Sequence, residues 1–173
     1  NINYHSYNKN EDSSFEVQPY CVKLFRQRWY MVARSTYPYY YEKGPMVYAL
    51  DRIVDLHQTD ETFKMPKGWD AEKYFDGCFG VIADQNTKIH LVKLKVSAGQ
   101  ANYIRDIPLH ASQEETERNE EYSIFTFNLR PTFDFQQEIL MNGGDMEVLE
   151  PYWLRKEIAG KIKRMWNRYK EDK

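Results

Sequence analysis

Apolar and polar positions alternate with a short period in the first third of the chain and with a longer one at its end. Residues 2–7 (Ile-Asn-Tyr-His-Ser-Tyr) read as a strand, and 8–14 as the hairpin loop behind it. Extended character resumes at 15–17 and at 22–28, with a turn expected at 26–28. The run 29–33 is the strongest strand of this half. Alternation puts Trp29 and Met31 on one face and Arg28, Tyr30 and Val32 on the other. Trp29 and Leu50 are assigned to the core. Residues 35–45 form a turn-rich loop with four tyrosines, and 46–56 are strand-like throughout. Short strands at close spacing, with no long amphipathic helix between them, predict a small β-barrel.

From 63 to 83 the pattern loosens, punctuated by Pro66, Gly68, Gly77 and Gly80, with a short helix expected over 69–79. Beyond it the rhythm changes. Residues 89–96 alternate as a strand, 100–106 read as a helix, and Tyr122–Leu129 as a second strand with Phe125, Phe127 and Leu129 on one face. Phe133–Met141 reads as a helix started by Thr132 or Asp134 and ended by Gly143-Gly144. A short strand over 146–149 precedes a long helix from Pro151 to Lys173. Leu154, Ile158, Ile162, Met165 and Tyr169 recur there at helical spacing and predict one buried stripe. The fold class is therefore α+β. A small β-barrel over 1–62 is joined by a connecting segment over 63–86 to a ferredoxin-like α/β sandwich over 87–173.

Composition adds a surplus of aromatic residues, with fourteen Tyr, nine Phe and four Trp, which favours sheets and binding surfaces. A net charge of −2 argues against a chain that is basic throughout. Locally the balance shifts. Lys23, Arg26, Arg28, Arg34, Lys43 and Arg52 face only Glu42 and Asp51 between 17 and 54, whereas 114–121 hold five Glu and one Arg and read as an acidic loop. Cys21 and Cys78 lack disulfide or zinc spacing. No apolar run has the ~20 residues of a membrane span. The chain opens on Asn inside a strand-like stretch, so we expect a piece of a longer protein from a reducing cytoplasm.

Three pieces of the first half then stand in a telling order. They are Pro19 ahead of a basic turn, Arg28-Trp29-Tyr30-Met31, and Tyr48-Ala49-Leu50-Asp51-Arg52-Ile53. This order resembles the WYL family, named for a Trp-Tyr-Leu tripeptide, with Met31 in the third place. Ile107-Pro108-Leu109-His110 with Ser112-Gln113, and Gly144 through Val148-Leu149-Glu150-Pro151 into Leu154-Arg155, are similar to the extension that often follows a WYL domain. The resemblance implies an Sm-like, SH3-like barrel behind a helix-turn-helix domain of a bacterial transcriptional regulator. It also implies a homodimer, a ligand-sensing barrel, and in some members a nucleic-acid ligand. Family members often carry Arg six residues before the motif Arg, where this chain has Met46. Arg52 is then the one arginine of that strand, with Lys23, Arg26 and Arg28 as the other nearby cations.

The candidate ligand contacts are Tyr4, His5, Lys23, Arg26, Arg28, Tyr30, Tyr48 and Arg52. An arginine fork holds phosphate or carboxylate bidentately, and aromatic rings stack on bases. Each has a plainer reading: Arg52 as a structural pair with Asp51 or another carboxylate, the tyrosines as barrel packing, and the basic turn as a solvated hairpin tip. The expected ligand is anionic, a nucleotide or a short single strand, and DNA would be read by a domain outside this chain. No metal, cofactor or membrane is expected. His5, His57, His90 and His110 are scattered, and no nucleophile, metalloprotease or phosphate-loop motif is present, so no catalytic residues are assigned. The alternative function is a protein-interaction or dimerisation module with no small ligand, motivated by the aromatic excess and by Trp153 and Trp166 off the main helix stripe.

Overall fold

Turn chemistry sets the architecture of the first half. In the computed structural model, which describes residues 1–170, strand β1 (Ile2–Ser6) pairs antiparallel with β2 (Glu11–Phe15), and Asn10 takes a left-handed φ of 52° in the turn between them. Strands β3 (Val17–Phe25) and β4 (Arg28–Ser35) are joined by Arg26 and Gln27 alone, with φ of 48° and 63°. Two left-handed residues are what a tight hairpin needs for its twist to match the strands. The ladder slips at Pro19, which has no N–H to donate.

After the short helix α1 (Pro38–Tyr41), β5 (Met46–Ala49) joins β4. The run predicted as one strand over 46–56 is broken. A single 3-10 turn, Leu50–Arg52, lifts the chain off that sheet, and β6 (Ile53–Leu56) pairs instead with β1. The strand orders are β2-β1-β6 and β3-β4-β5, and the chain passes between the two sheets at Glu16 and again at the 3-10 turn. Among the described residues these ladders form two three-stranded sheets.

Ile2, Ala33 and Tyr48 are the buried centre, with Tyr4, Phe15, Val17, Met31, Met46 and Ile53 packed around them. Trp29 does not belong to it. It lies opposite Leu24 near the hairpin tip and is 50% exposed, while Leu50 is half-buried. Alternation assigned Trp29 the core-facing side correctly, but the core is centred further along the strand.

Residues 57–70 contain no helix or strand. The helix expected over 69–79 shrinks to α2 (Ala71–Tyr74), capped by the Asp70 carboxylate, which accepts from the Glu72 and Lys73 N–H groups. Tyr20, Trp69 and Tyr74 stack in sequence at 4.8 and 5.1 Å, and the Tyr74 hydroxyl donates to the Pro45 carbonyl at 2.9 Å. This segment therefore belongs to the first compact unit, Asn1–Asp76, and the second unit begins at Gly77.

The second unit runs β7 (His90–Ser97), α3 (Ala98–Asp106), β8 (Glu114–Arg118), β9 (Tyr122–Leu129), α4 (Phe133–Met141), β10 (Met146–Glu150) and α5 (Tyr152–Tyr169). The antiparallel sheet has the order β10-β7-β9-β8. Val92, Leu94 and Val96 of β7 and Phe125, Phe127 and Leu129 of β9 form one apolar face, closed over by Ala101, Ile104, Phe135, Ile139, Leu154 and Ile158 of the three helices. The acidic run over 114–121, expected as a loop, is in part the edge strand β8. All of its residues are exposed, and an edge position tolerates their charge.

The stripe on α5 is buried only at Leu154 and Ile158. Ile162, Met165 and Tyr169 are exposed, because that half of the helix extends past the core. The part of the predicted helix over 171–173 lies outside the described residues. Thr132 occupies the N-cap of α4 without capping it. The Asp134 carboxylate accepts instead from the N–H groups of Val81, Ile82 and Phe135 and from the Thr132 hydroxyl, fastening 77–82 to the unit.

Candidate ligand-binding site

Arg52 ends the 3-10 turn, which throws its side chain back across the end of β1. Its Nε and Nη2 both donate to the His5 carbonyl oxygen, at 2.9 and 2.6 Å. The guanidinium lies 4.2 Å from the ring centre of Tyr7 and 4.7 Å from that of Tyr4. Rings within about 6 Å of a cation attract it electrostatically. The Nη1 amino group has no partner among the described residues. Arg52 is thus oriented by a carbonyl and two rings, with one edge of its fork open to an anion.

His5 points its Nδ1 at the Asp12 carboxylate, 2.7 Å away across the hairpin, and its ring meets Tyr7 edge-on at 5.4 Å. The Tyr4 hydroxyl accepts from the Ala49 N–H at 3.1 Å, so this residue braces β1 against β5 as well as stacking on Arg52. Tyr48 meets Tyr4 edge-on at 5.4 Å and is 6% exposed. It is a core residue whose face no ligand reaches, and burial pushes its phenol up to about 12. Tyr7, at the end of the first predicted strand and outside the candidate contacts, is the exposed ring that lies against Arg52.

Asp51 does not pair with its neighbour Arg52. It takes Arg28 across from β4, with Nε to carboxylate oxygen at 2.8 Å. That hydrogen bond raises the Arg28 pKa and holds the Asp51 carboxyl below its ordinary value. Arg28 also lies 5.7 Å from the Tyr30 ring. Lys23 faces Tyr30 across the ladder, and its ammonium sits 3.8 Å from the centre of the Phe75 ring. Arg26 is exposed at the hairpin tip. Met46 packs against the core cluster. The structure therefore brings Tyr4, His5 and Arg52 together with the unforeseen Tyr7 and Asp12. It leaves Lys23, Arg26, Arg28 and Tyr30 on the neighbouring sheet.

The tyrosine loop is itself a cation-bearing surface. The Arg34 guanidinium lies 3.7 Å from the Tyr41 ring, and Lys43 donates to the Tyr39 hydroxyl at 3.0 Å, which lowers that phenol's pKa. Elsewhere, His110 and Ser112 are 2.8 Å apart, but the Ser112 hydroxyl donates to the Asn128 carbonyl and accepts from the Asn128 N–H. It is a backbone brace between a turn and β9. Among the described residues no three His, Cys, Asp or Glu side chains gather as a metal site, Cys21 and Cys78 form no disulfide, and no helix is long and apolar enough to cross a membrane.

Family models match both units: the WYL domain over residues 1–58 and the WCX domain over 88–166. None of the curated proteins matches the chain in sequence. Among solved structures, a CRISPR Cas-related protein aligns over 98% of this chain and 48% of its own, at 14% identity and a TM-score of 0.55, a likeness of fold. Proteasome accessory factor B/C of Arthrobacter aurescens aligns over 94% of this chain and 24% of its own, at 17% identity and a TM-score of 0.36. The chain thus spans about half of the one and about a quarter of the other.

Proposed function

The chain belongs to the WYL domain-containing proteins, with a WCX domain behind its WYL domain, and on that premise we propose that it is the sensing and dimerisation region of a transcriptional regulator. The WYL unit binds an anionic ligand at Arg52, a nucleotide or a short single strand. Occupancy biases how a helix-turn-helix domain outside these residues is held on DNA. Such a switch works only where the ligand prefers one state of the full-length protein. The region acts by binding, without catalysis.

The observation that carries this reading is the preset fork of Arg52. It is fixed by the His5 carbonyl and by Tyr4 and Tyr7, with Nη1 open. Phosphate would meet that edge, and bases would find Tyr7, 64% exposed, beside it. We read the two small sheets as an Sm-like barrel whose crossing points are Glu16 and the 3-10 turn. We read the second unit as ferredoxin-like, supported by its β-α-β-β-α-β order and its strand order β10-β7-β9-β8.

The test is fluorescence anisotropy with a labelled oligothymidylate and with a labelled nucleotide, at two salt concentrations. Binding should be tightest at low salt, because phosphate contacts release counterions. Arg52→Ala should weaken it by about 10- to 100-fold, the range of a lost charged hydrogen bond. Failure to bind at low salt overturns the ligand class.

The second reading, a pure interaction module, is favoured by the exposed half of α5. There Ile162, Met165 and Tyr169 of the stripe, with Trp166 beside it, are exposed outside the core. On that reading Arg52→Ala leaves regulation intact, and polar substitutions along the stripe abolish it.

A further inference from the structure

The first unit has a concavity at the other end of the sheet on which the Arg52 side chain rests. In the β1–β6 ladder Tyr4 pairs with Ile53 and Ile2 with Leu56. Two residues of strand, roughly 7 Å at ~3.4 Å each, separate the Tyr4 end from the Ile2 end. At the Ile2 end lies a cleft of about 460 Å³. That is within the ~300–1,000 Å³ usual for small-molecule sites.

Its floor is apolar. Ile2 is 3% exposed, and Val17 and Met31 pack against it. One wall is the irregular segment after β6, which reaches the cleft with Phe63. Of the carboxylate, ammonium and guanidinium side chains, only carboxylates stand on the lining. Glu16 and Glu61 line the cleft, no Lys or Arg does, and neither carboxylate has a partner among the described residues. The backbone nitrogen of Asn1, at the mouth, donates to the His57 carbonyl at 2.8 Å, and the His57 ring is paired with Asp55 at 2.9 Å.

An apolar floor beneath two unpaired carboxylates selects for a cation with a hydrocarbon body. The body removes apolar surface from water, and the ammonium supplies donors to oxygens that have none. A carboxylate or phosphate ligand would meet repulsion here, which is the reverse of the Arg52 end. We propose that this cleft is a second binding site, for a small organic ammonium ion. Its ligand is opposite in charge to the one proposed for Arg52.

An amide NMR titration of the full chain with phenethylammonium tests this, with 2-phenylethanol and phenylacetate as matched neutral and anionic probes. Phenethylammonium should give saturable shifts at Glu16, Val17, Met31 and Phe63. It should bind at least about ten-fold tighter than the alcohol, and phenylacetate should not saturate. Its affinity should fall with added salt while the alcohol's stays level. The double variant Glu16→Gln, Glu61→Gln should bind both neutral and cationic probes alike. The proposal is overturned by absence of saturation at about ten millimolar, weaker than the affinity of a useful small-ligand site. Equal binding of ammonium and alcohol, or a salt-independent ammonium affinity, overturns it too. The salt series uses the unaltered chain, so it decides the matter even if the double variant fails to fold.

Discussion

Arg52 donates twice to the backbone carbonyl of His5, through Nε at 2.9 Å and Nη2 at 2.6 Å. The ligand candidate is therefore also a structural strut. Arg52→Ala should destabilise the WYL unit by about 1.5–3 kcal/mol, the range for hydrogen bonds to charged groups. Arg52→Lys should lose less, since an ammonium still reaches a carbonyl but stacks less well on rings. Urea unfolding followed by circular dichroism measures this loss. Binding assays then belong at temperatures where both variants are folded.

Tyr4 and Tyr48 touch edge to face but predict opposite responses to loss of a hydroxyl. Tyr4→Phe strands the Ala49 N–H and should cost about 1 kcal/mol. The Tyr48 hydroxyl is buried with no partner among the described residues, so Tyr48→Phe should be neutral or stabilising. There is also an alkaline signature. With its folded pKa near 12 and an unfolded one near 10, ionisation of Tyr48 favours the unfolded chain above pH 10, so stability is unaffected by it below pH 10 and falls as pH rises through 12. Tyr48→Phe should flatten the stability curve across that window.

Arg105 grips Glu115 through Nε and Nη2, at 2.9 and 2.6 Å, and also reaches the Ser123 hydroxyl. The arginine holds the Glu115 carboxyl down at about 2 against an ordinary value of 4.5. The folded pKa is depressed, so the contribution is complete above pH 4.5 and is lost as pH falls through 2. Thermal melts between pH 5 and 2 should show a shallower acid loss for Glu115→Gln than for the unaltered chain.

Asp134 is 7% exposed and accepts four hydrogen bonds, two of them from the chain that leads into the WCX unit. Asp134→Ala leaves three N–H groups without that acceptor and should cost about 2–4 kcal/mol, at 1–3 per stranded buried donor with partial access of water. Asp134→Asn should recover part of it. Hydrogen exchange at Val81 and Ile82 should quicken before the rest of the unit responds.

The legible parts of the chain were those whose pattern and packing agree. Strand Tyr122–Leu129 and helix Phe133–Met141 were predicted to the residue, because Phe125, Phe127 and Leu129 alternate cleanly and the helix has a stop in Gly143. The break at Leu50–Arg52 was not legible, since no Gly or Pro marks it. It is imposed by two long-range ties, Arg28 to Asp51 and Arg52 to His5. The exposure of Trp29 was missed because alternation reports the side a residue faces and not how far the core extends beneath it.

At the site, motif order led to Arg52. Tyr7 and Asp12 reach His5 and Arg52 only through the register of the first hairpin, which spacing alone does not set. Tyr48 is a candidate contact by residue type alone, and its register opposite Met31 puts it in the core.

The 3-10 turn has one more consequence. Asp51 and Arg52 are consecutive and oppositely charged, and each is moored to a different sheet, Asp51 to Arg28 of β4 and Arg52 to His5 of β1. One peptide bond therefore separates the tie to one sheet from the tie to the other. On the reading proposed for Arg52, an anion at that fork would sit on the same 3-10 turn that moors Asp51, with no chain of packed side chains between the two ties.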